Sequence, residues 1–257
     1  MKGGQGRSAW PNHLHLVARE GEDQEHSGLV ASAKADLLNS RSAYSPSSPR
    51  LDQLADFRLT SNIPSADAVR ELEDLLESGE QNEGPFQRLV ERHPQLLSSL
   101  VIGNWDTYVI PKKRLGNQHE TDFLVLGVSS LGPQWVAVEL EAPRHELLTR
   151  QGRIRSEVQH AVDQIQDWRD WLAKNVSYAH ETLHLHGITS RLPGLVVVGR
   201  DEPRADREPA RSRIFEQQAI QIHSWDWMLR ETKRGINDRI LHGATPVADL
   251  PLGGVEW

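Results

Sequence analysis

Three carboxylates, Asp122, Glu139 and Glu141, stand at spacings that can bring them together. Asp122 opens the apolar run to Val128, and Gln134 to Glu141 forms a second such run after the turn-rich stretch Ser129-Ser-Leu-Gly-Pro133. Two β-type runs joined by a loop of that composition predict an antiparallel hairpin. With the turn centred near Leu131, Asp122 falls opposite Leu140, give or take one residue, within cross-strand reach of Glu139 and Glu141. Glu139 and Glu141 share one face of their strand, and Val136, Val138 and Leu140 point to the other. Crowded carboxylates repel unless a cation neutralises them, and an oxygen-only ligand set suits Mg²⁺ or Mn²⁺. Acids are also ordinary on the solvated face of a half-exposed hairpin, so the hairpin alone leaves both readings open.

The elements that must position these acids can be read on either side. Ser65 is a plausible N-cap for a helix with Val69, Leu72, Leu75 and Leu76 on one face. A second helix spans about Glu83 to Arg92, and Pro94 ends it. Val101-Ile102 and Tyr108–Ile110 read as strands. A long helix over about Ile154–Lys174 carries the apolar stripe Val158, Ala161, Ile165, Trp168 and Leu172. Glu157 and Gln164 lie beside that stripe, seven residues apart. Leu195–Val198 reads as a strand buried on both faces, Ala219–His223 as another, and Trp225 starts a last helix. The order predicts an α/β domain over residues 64–242. Residues 1–63 read as a largely irregular arm and linker, with Val30–Leu38 as a short helix, and 243–257 as an irregular tail.

Composition narrows the classes. The chain has 257 residues, 37% of them hydrophobic, and no Cys. That excludes a disulfide scaffold, thiolate-held zinc, an iron–sulfur cluster and a cysteine nucleophile. There is no signal-peptide core and no apolar run near the roughly 20 residues of a membrane helix, so a cytoplasmic protein without a membrane partner is expected. The net charge of −7 argues against nucleic acid at first sight, but residues 1–82 hold 8 Lys+Arg against 13 Asp+Glu and account for most of it. The remainder is close to neutral and compatible with local basic patches.

Several segments in order carry a family resemblance: Glu83-Gly-Pro-Phe-Gln-Arg-Leu-Val-Glu-Arg-His-Pro94, Thr121-Asp-Phe, Val136-Ala-Val-Glu-Leu-Glu-Ala-Pro143, Glu157 to Trp168, and Leu195-Val-Val-Val-Gly-Arg200. Over about residues 80–230 the chain resembles the catalytic domain of the Shedu anti-phage defence proteins, a branch of the PD-(D/E)XK nuclease superfamily. The resemblance implies a restriction-endonuclease-like core, a mixed central sheet flanked by helices. It implies a Mg²⁺- or Mn²⁺-dependent endonuclease acting on DNA. Asp122 and Glu139 would hold the metal with Glu83, and Glu141 and Gln164 would complete the catalytic set. Homo-oligomer formation stays open. The lysine that ends the family motif is Glu141 here. An arginine such as Arg144, Arg150, Arg153 or Arg155 could restore the missing charge. The alternative is a catalytically impaired relative that binds nucleic acid or acts as a sensor.

Other features compete. His180-Glu181-Thr182-Leu183-His184 is a literal H-E-x-x-H, which on a helix would make a zinc peptidase site, although Ser190 stands where the extended pattern needs a third His. Trp168, Trp171, Trp225 and Trp227 could stack bases, though such spacing is more often core packing. Lys112, Lys113, Arg150, Arg153 and Arg155 flank the expected cleft and are candidates for phosphate contacts, or plain solvated surface.

Overall fold

A computed structural model describes residues 51–100, 106–129, 132–202 and 207–241. The expected helix Val30–Leu38, the strand Val101-Ile102 and the tail 243–257 lie outside these residues. Ser65 caps the first helix as expected: its Oγ accepts from the Ala68 N–H, and α1 runs Ala66–Glu77. α2 is Glu83–Arg92. Strands β1 (Asp106–Pro111), β2 (Arg114–Leu115), β3 (His119–Glu120), β4 (Phe123–Ser129) and β5 (Gly132–Leu140) follow. The long helix α3 is Ser156–Glu181, then come β6 (Gly194–Val197), α4 (Arg207–Gln218), β7 (Ile220–His223) and α5 (Trp225–Leu241).

The sheet is mixed, in the order β1-β4-β5-β6-β7. β1, β4 and β5 pair antiparallel, while β5, β6 and β7 pair parallel. Alternation divides the side chains between two cores. Leu124, Leu126, Trp135 and Ala137 pack with Val158, Ala161, Ile165 and Trp168 of α3. Phe123, Val125, Val138 and Leu140 pack with Leu72, Phe86, Leu89 and Trp225 of α1, α2 and α5. The hairpin is therefore covered on both faces, and the half-exposed sheet that would make its acids unremarkable is ruled out.

The hairpin register runs Phe123↔Val138, so its next step sets Asp122 across from Glu139, within the one-residue margin of the expected register. Two expectations need correction. The ordered domain begins before residue 64. Leu54 is 2% exposed, a 3₁₀ turn spans Asp52–Phe57, and the Leu59 N–H donates to the Thr107 carbonyl at 2.8 Å. That segment covers the edge of β1, whose free main-chain groups would otherwise invite pairing with another chain. α3 also continues past Lys174, breaking helical geometry at Asn175 (φ −130°, ψ 23°) before its second piece. α4 has no counterpart in the sequence reading, because only Ala210 and Ile214 of its polar sequence enter the core.

Candidate active site

The carboxyl ends of β5, β6 and β7 lie together at one edge of the sheet, where open α/β sheets bind ligands. Two hydrogen bonds orient Asp122. Its Oδ2 accepts from the Leu140 N–H at 2.9 Å, and its Oδ1 accepts from Lys112 Nζ at 2.5 Å. Glu139 shares a face with Ala137 and is 6% exposed, and its Oε2 is buried without a hydrogen-bond partner. Glu141 lies just past β5, held at both main-chain groups. Its N–H donates to the Val197 carbonyl at 2.8 Å, and its carbonyl accepts from Trp225 Nε1 at 2.8 Å. Glu83 opens α2, whose entry is fixed by Arg144: Nη1 donates to the Gln81 carbonyl at 3.0 Å and to Asn82 Oδ1 at 3.1 Å.

The four acids act on one another. Burial, then the Asp122 and Glu141 charges, pushes the Glu139 carboxyl up to about 9, with Lys112 opposing. Burial, then Glu83 and Asp122, pushes Glu141 up to about 7, and Arg144 opposes. Glu83 is raised by burial and by Asp122. Such mutual repulsion requires the four to share one neighbourhood. Glu157, at the start of α3, joins through its effect on Glu141. Burial works against the Lys112 charge, but the hydrogen bond to Asp122 and the nearby acids outweigh it and raise its proton affinity.

The acids are gathered without forming a finished ligand shell. Among the described residues, no three His, Asp or Glu side chains stand as a metal's ligands would. The Asp122 carboxylate carries an ammonium instead.

The remaining candidates are dispersed. Gln164 is half-buried on α3, about 10 Å along the helix axis from Glu157, and no hydrogen bond ties it to the acids. Arg155 pairs with Glu146 at 2.5 Å. Arg150 and Arg153 are exposed on the turn closed by the Leu148↔Ile154 bridge. Lys113 is half-buried, its carbonyl accepting from the Thr121 N–H. Trp168, Trp171 and Trp225 are core residues, and Trp227 stacks on His223 with ring centroids 3.7 Å apart. The H-E-x-x-H does not lie on one helix. α3 ends at Glu181, His184 has φ 60°, and His180 Nε2 is engaged with the Ile188 carbonyl at 2.8 Å. The spacing that would put two imidazoles over one ion is thereby lost.

Lys112, expected only as a phosphate contact flanking the cleft, stands on Asp122 itself, a pairing the sequence reading did not give. Its signal was the hairpin formed by the runs at 108–111 and 123–128. The register Pro111↔Phe123 carries Lys112 to Asp122 at the next step.

Residues 80–229 match the family model described as Shedu protein SduA, C-terminal. The chain belongs to this family. Neither the curated proteins nor the solved structures gave a match. Membership in the Shedu family implies a role in anti-phage defence. The Shedu match runs from just before α2 into α5, so it takes in Glu83, Asp122, Glu139, Glu141 and Gln164. Among the described residues of this Shedu chain, no helix is long and apolar enough to cross a membrane.

Proposed function

We propose that this chain is a divalent-metal-dependent endonuclease of the PD-(D/E)XK kind that hydrolyses DNA phosphodiester bonds in anti-phage defence. The observation that carries the reading is the Glu139 Oε2 atom, buried, without a partner and set among other carboxylates. A carboxylate oxygen in that position costs free energy unless a cation meets it. The donor set is all oxygen, which fits Mg²⁺ or Mn²⁺.

Asp122 and Glu139 would hold the ion, with Glu83 beside them. Bound there, a divalent ion polarises the phosphate and lowers the pKa of an attacking water. Glu141 holds a carboxyl near neutrality and can take that water's proton. The Leu140 N–H fixes the Asp122 carboxylate and keeps it aimed at the centre. Arg150 and Arg153 extend into solvent and suit contacts to the DNA backbone. The acid at position 141 favours a second reading, a relative that binds DNA without cutting it.

The test is incubation of the purified protein with supercoiled and linear DNA in Mg²⁺ or Mn²⁺. Cleavage is expected, with a fall of at least about 100-fold in an Asp122→Ala, Glu139→Ala double variant. Uncut DNA, or a double variant as active as its parent, overturns the nuclease reading. Binding without cutting supports the second.

A further inference from the structure

Phosphodiester hydrolysis builds negative charge on the phosphate, and four acids already surround this centre. A cation carried by the protein is needed beside them. Arg144 is engaged at the entry of α2 and Arg155 at Glu146. Among the described residues, Lys112 is the lysine that touches a site acid.

Its geometry is specific. Lys112 directly follows β1 with φ 47°, a left-handed conformation that non-glycine residues seldom adopt. Its N–H donates to the Asp122 carbonyl at 2.9 Å, and the Thr121 N–H donates to the Lys113 carbonyl at 3.0 Å. Its own ammonium turns back onto Asp122 Oδ1 at 2.5 Å. Residue 112 is thus bound to residue 122 by main chain and side chain together. The Lys112 side chain is 42% exposed and that of Asp122 only 10%. The ammonium therefore spans a buried acid on one side and open solvent on the other, the side from which a phosphate must arrive.

We propose that Lys112 supplies the catalytic ammonium of this centre: it neutralises Asp122 here, and it would contact the scissile phosphate when Asp122 and Glu139 hold a divalent ion. The proposal rests on the nuclease reading above. It also accounts for an acid at position 141. The positive charge arrives from the end of β1, so the β5 position is free to carry a carboxyl.

The test compares Lys112→Met, Glu141→Lys and their combination in the full chain, with supercoiled plasmid as substrate. Lys112→Met is expected to lower the cleavage rate at saturating DNA by about 100-fold. Its affinity for the same DNA in Ca²⁺ should change by no more than about threefold, as for one phosphate contact among many. In EDTA its melting midpoint should fall, because Asp122 loses its counter-ion. Adding Glu141→Lys brings an ammonium back to the same acids, and should restore the midpoint and at least tenfold of the rate. Cleavage by Lys112→Met within threefold of the parent overturns the proposal, as does a loss that Glu141→Lys does not restore. The two readings separate cleanly. If Asp122→Ala abolishes cleavage and Lys112→Met does not, only the role of Lys112 falls. If the parent cuts nothing, the nuclease reading falls with it.

Discussion

Replacing Glu139 by Gln should stabilise the metal-free protein. The carboxyl is buried, one oxygen lacks a partner, and burial with its neighbours' charges raises it from 4.5 to about 9. A carboxyl raised on folding contributes full stability below its unfolded pKa and loses it as pH climbs toward the folded value. At pH 7 the loss is about 3 kcal/mol, at about 1.4 kcal/mol per pH unit. A neutral amide of the same shape suffers no such loss. The midpoint of thermal unfolding in EDTA should therefore rise by roughly 6–12 °C at pH 7. The gain should shrink toward zero near pH 5, and Mg²⁺ should raise the parent's midpoint but not the variant's. Thermal melts at several pH values, with EDTA and with Mg²⁺, measure each part. A variant no more stable than its parent between pH 6 and 8 would refute the claim that Glu139 is held at a cost to the fold.

Further outcomes follow from the same contacts. Gly199→Ala places a Cβ 2.3 Å from the His145 carbonyl oxygen at φ +70°, so urea unfolding should show a loss of about 2–4 kcal/mol. An unchanged midpoint would contradict the packing described. Trp225→Phe removes the donor to the Glu141 carbonyl, and about 1–3 kcal/mol of stability should go with it in the same assay. His184→Ala should leave the metal content unchanged by elemental analysis. A loss of bound zinc would revive the peptidase motif despite the left-handed backbone at His184.

The sequence declared the hairpin, the α3 stripe and the buried β6 run, because each follows one period over several residues. The register was legible only to within one residue because the turn was placed from composition, while Phe123 and Val138 pair and pack into the same core. α4 was invisible because two buried residues make no stripe. Within the site, Asp122, Glu139 and Glu141 were legible as a cross-strand cluster. Glu83 came from family resemblance, and the structure sets it in the same acidic neighbourhood. Gln164 came from family resemblance too, and it is half-buried on α3, two turns along the axis from Glu157. Lys112 was legible as a basic residue beside the cleft, not as the partner of Asp122. Its meaning depends on the β1–β4 pairing, which bridges the small β2–β3 excursion.

The way Glu141 is held has a consequence for the order of synthesis. The β4–β5 hairpin leaves the ribosome before β6 and α5, carrying Asp122, Glu139 and Glu141 without those later supports. The main-chain anchors of Glu141 are Val197 and the indole of Trp225, the latter 84 residues downstream. Contacts of that separation form late. The acidic centre is therefore incomplete on any nascent chain shorter than about residue 225, and under the proposed nuclease reading activity would arise only after most of the domain has been made.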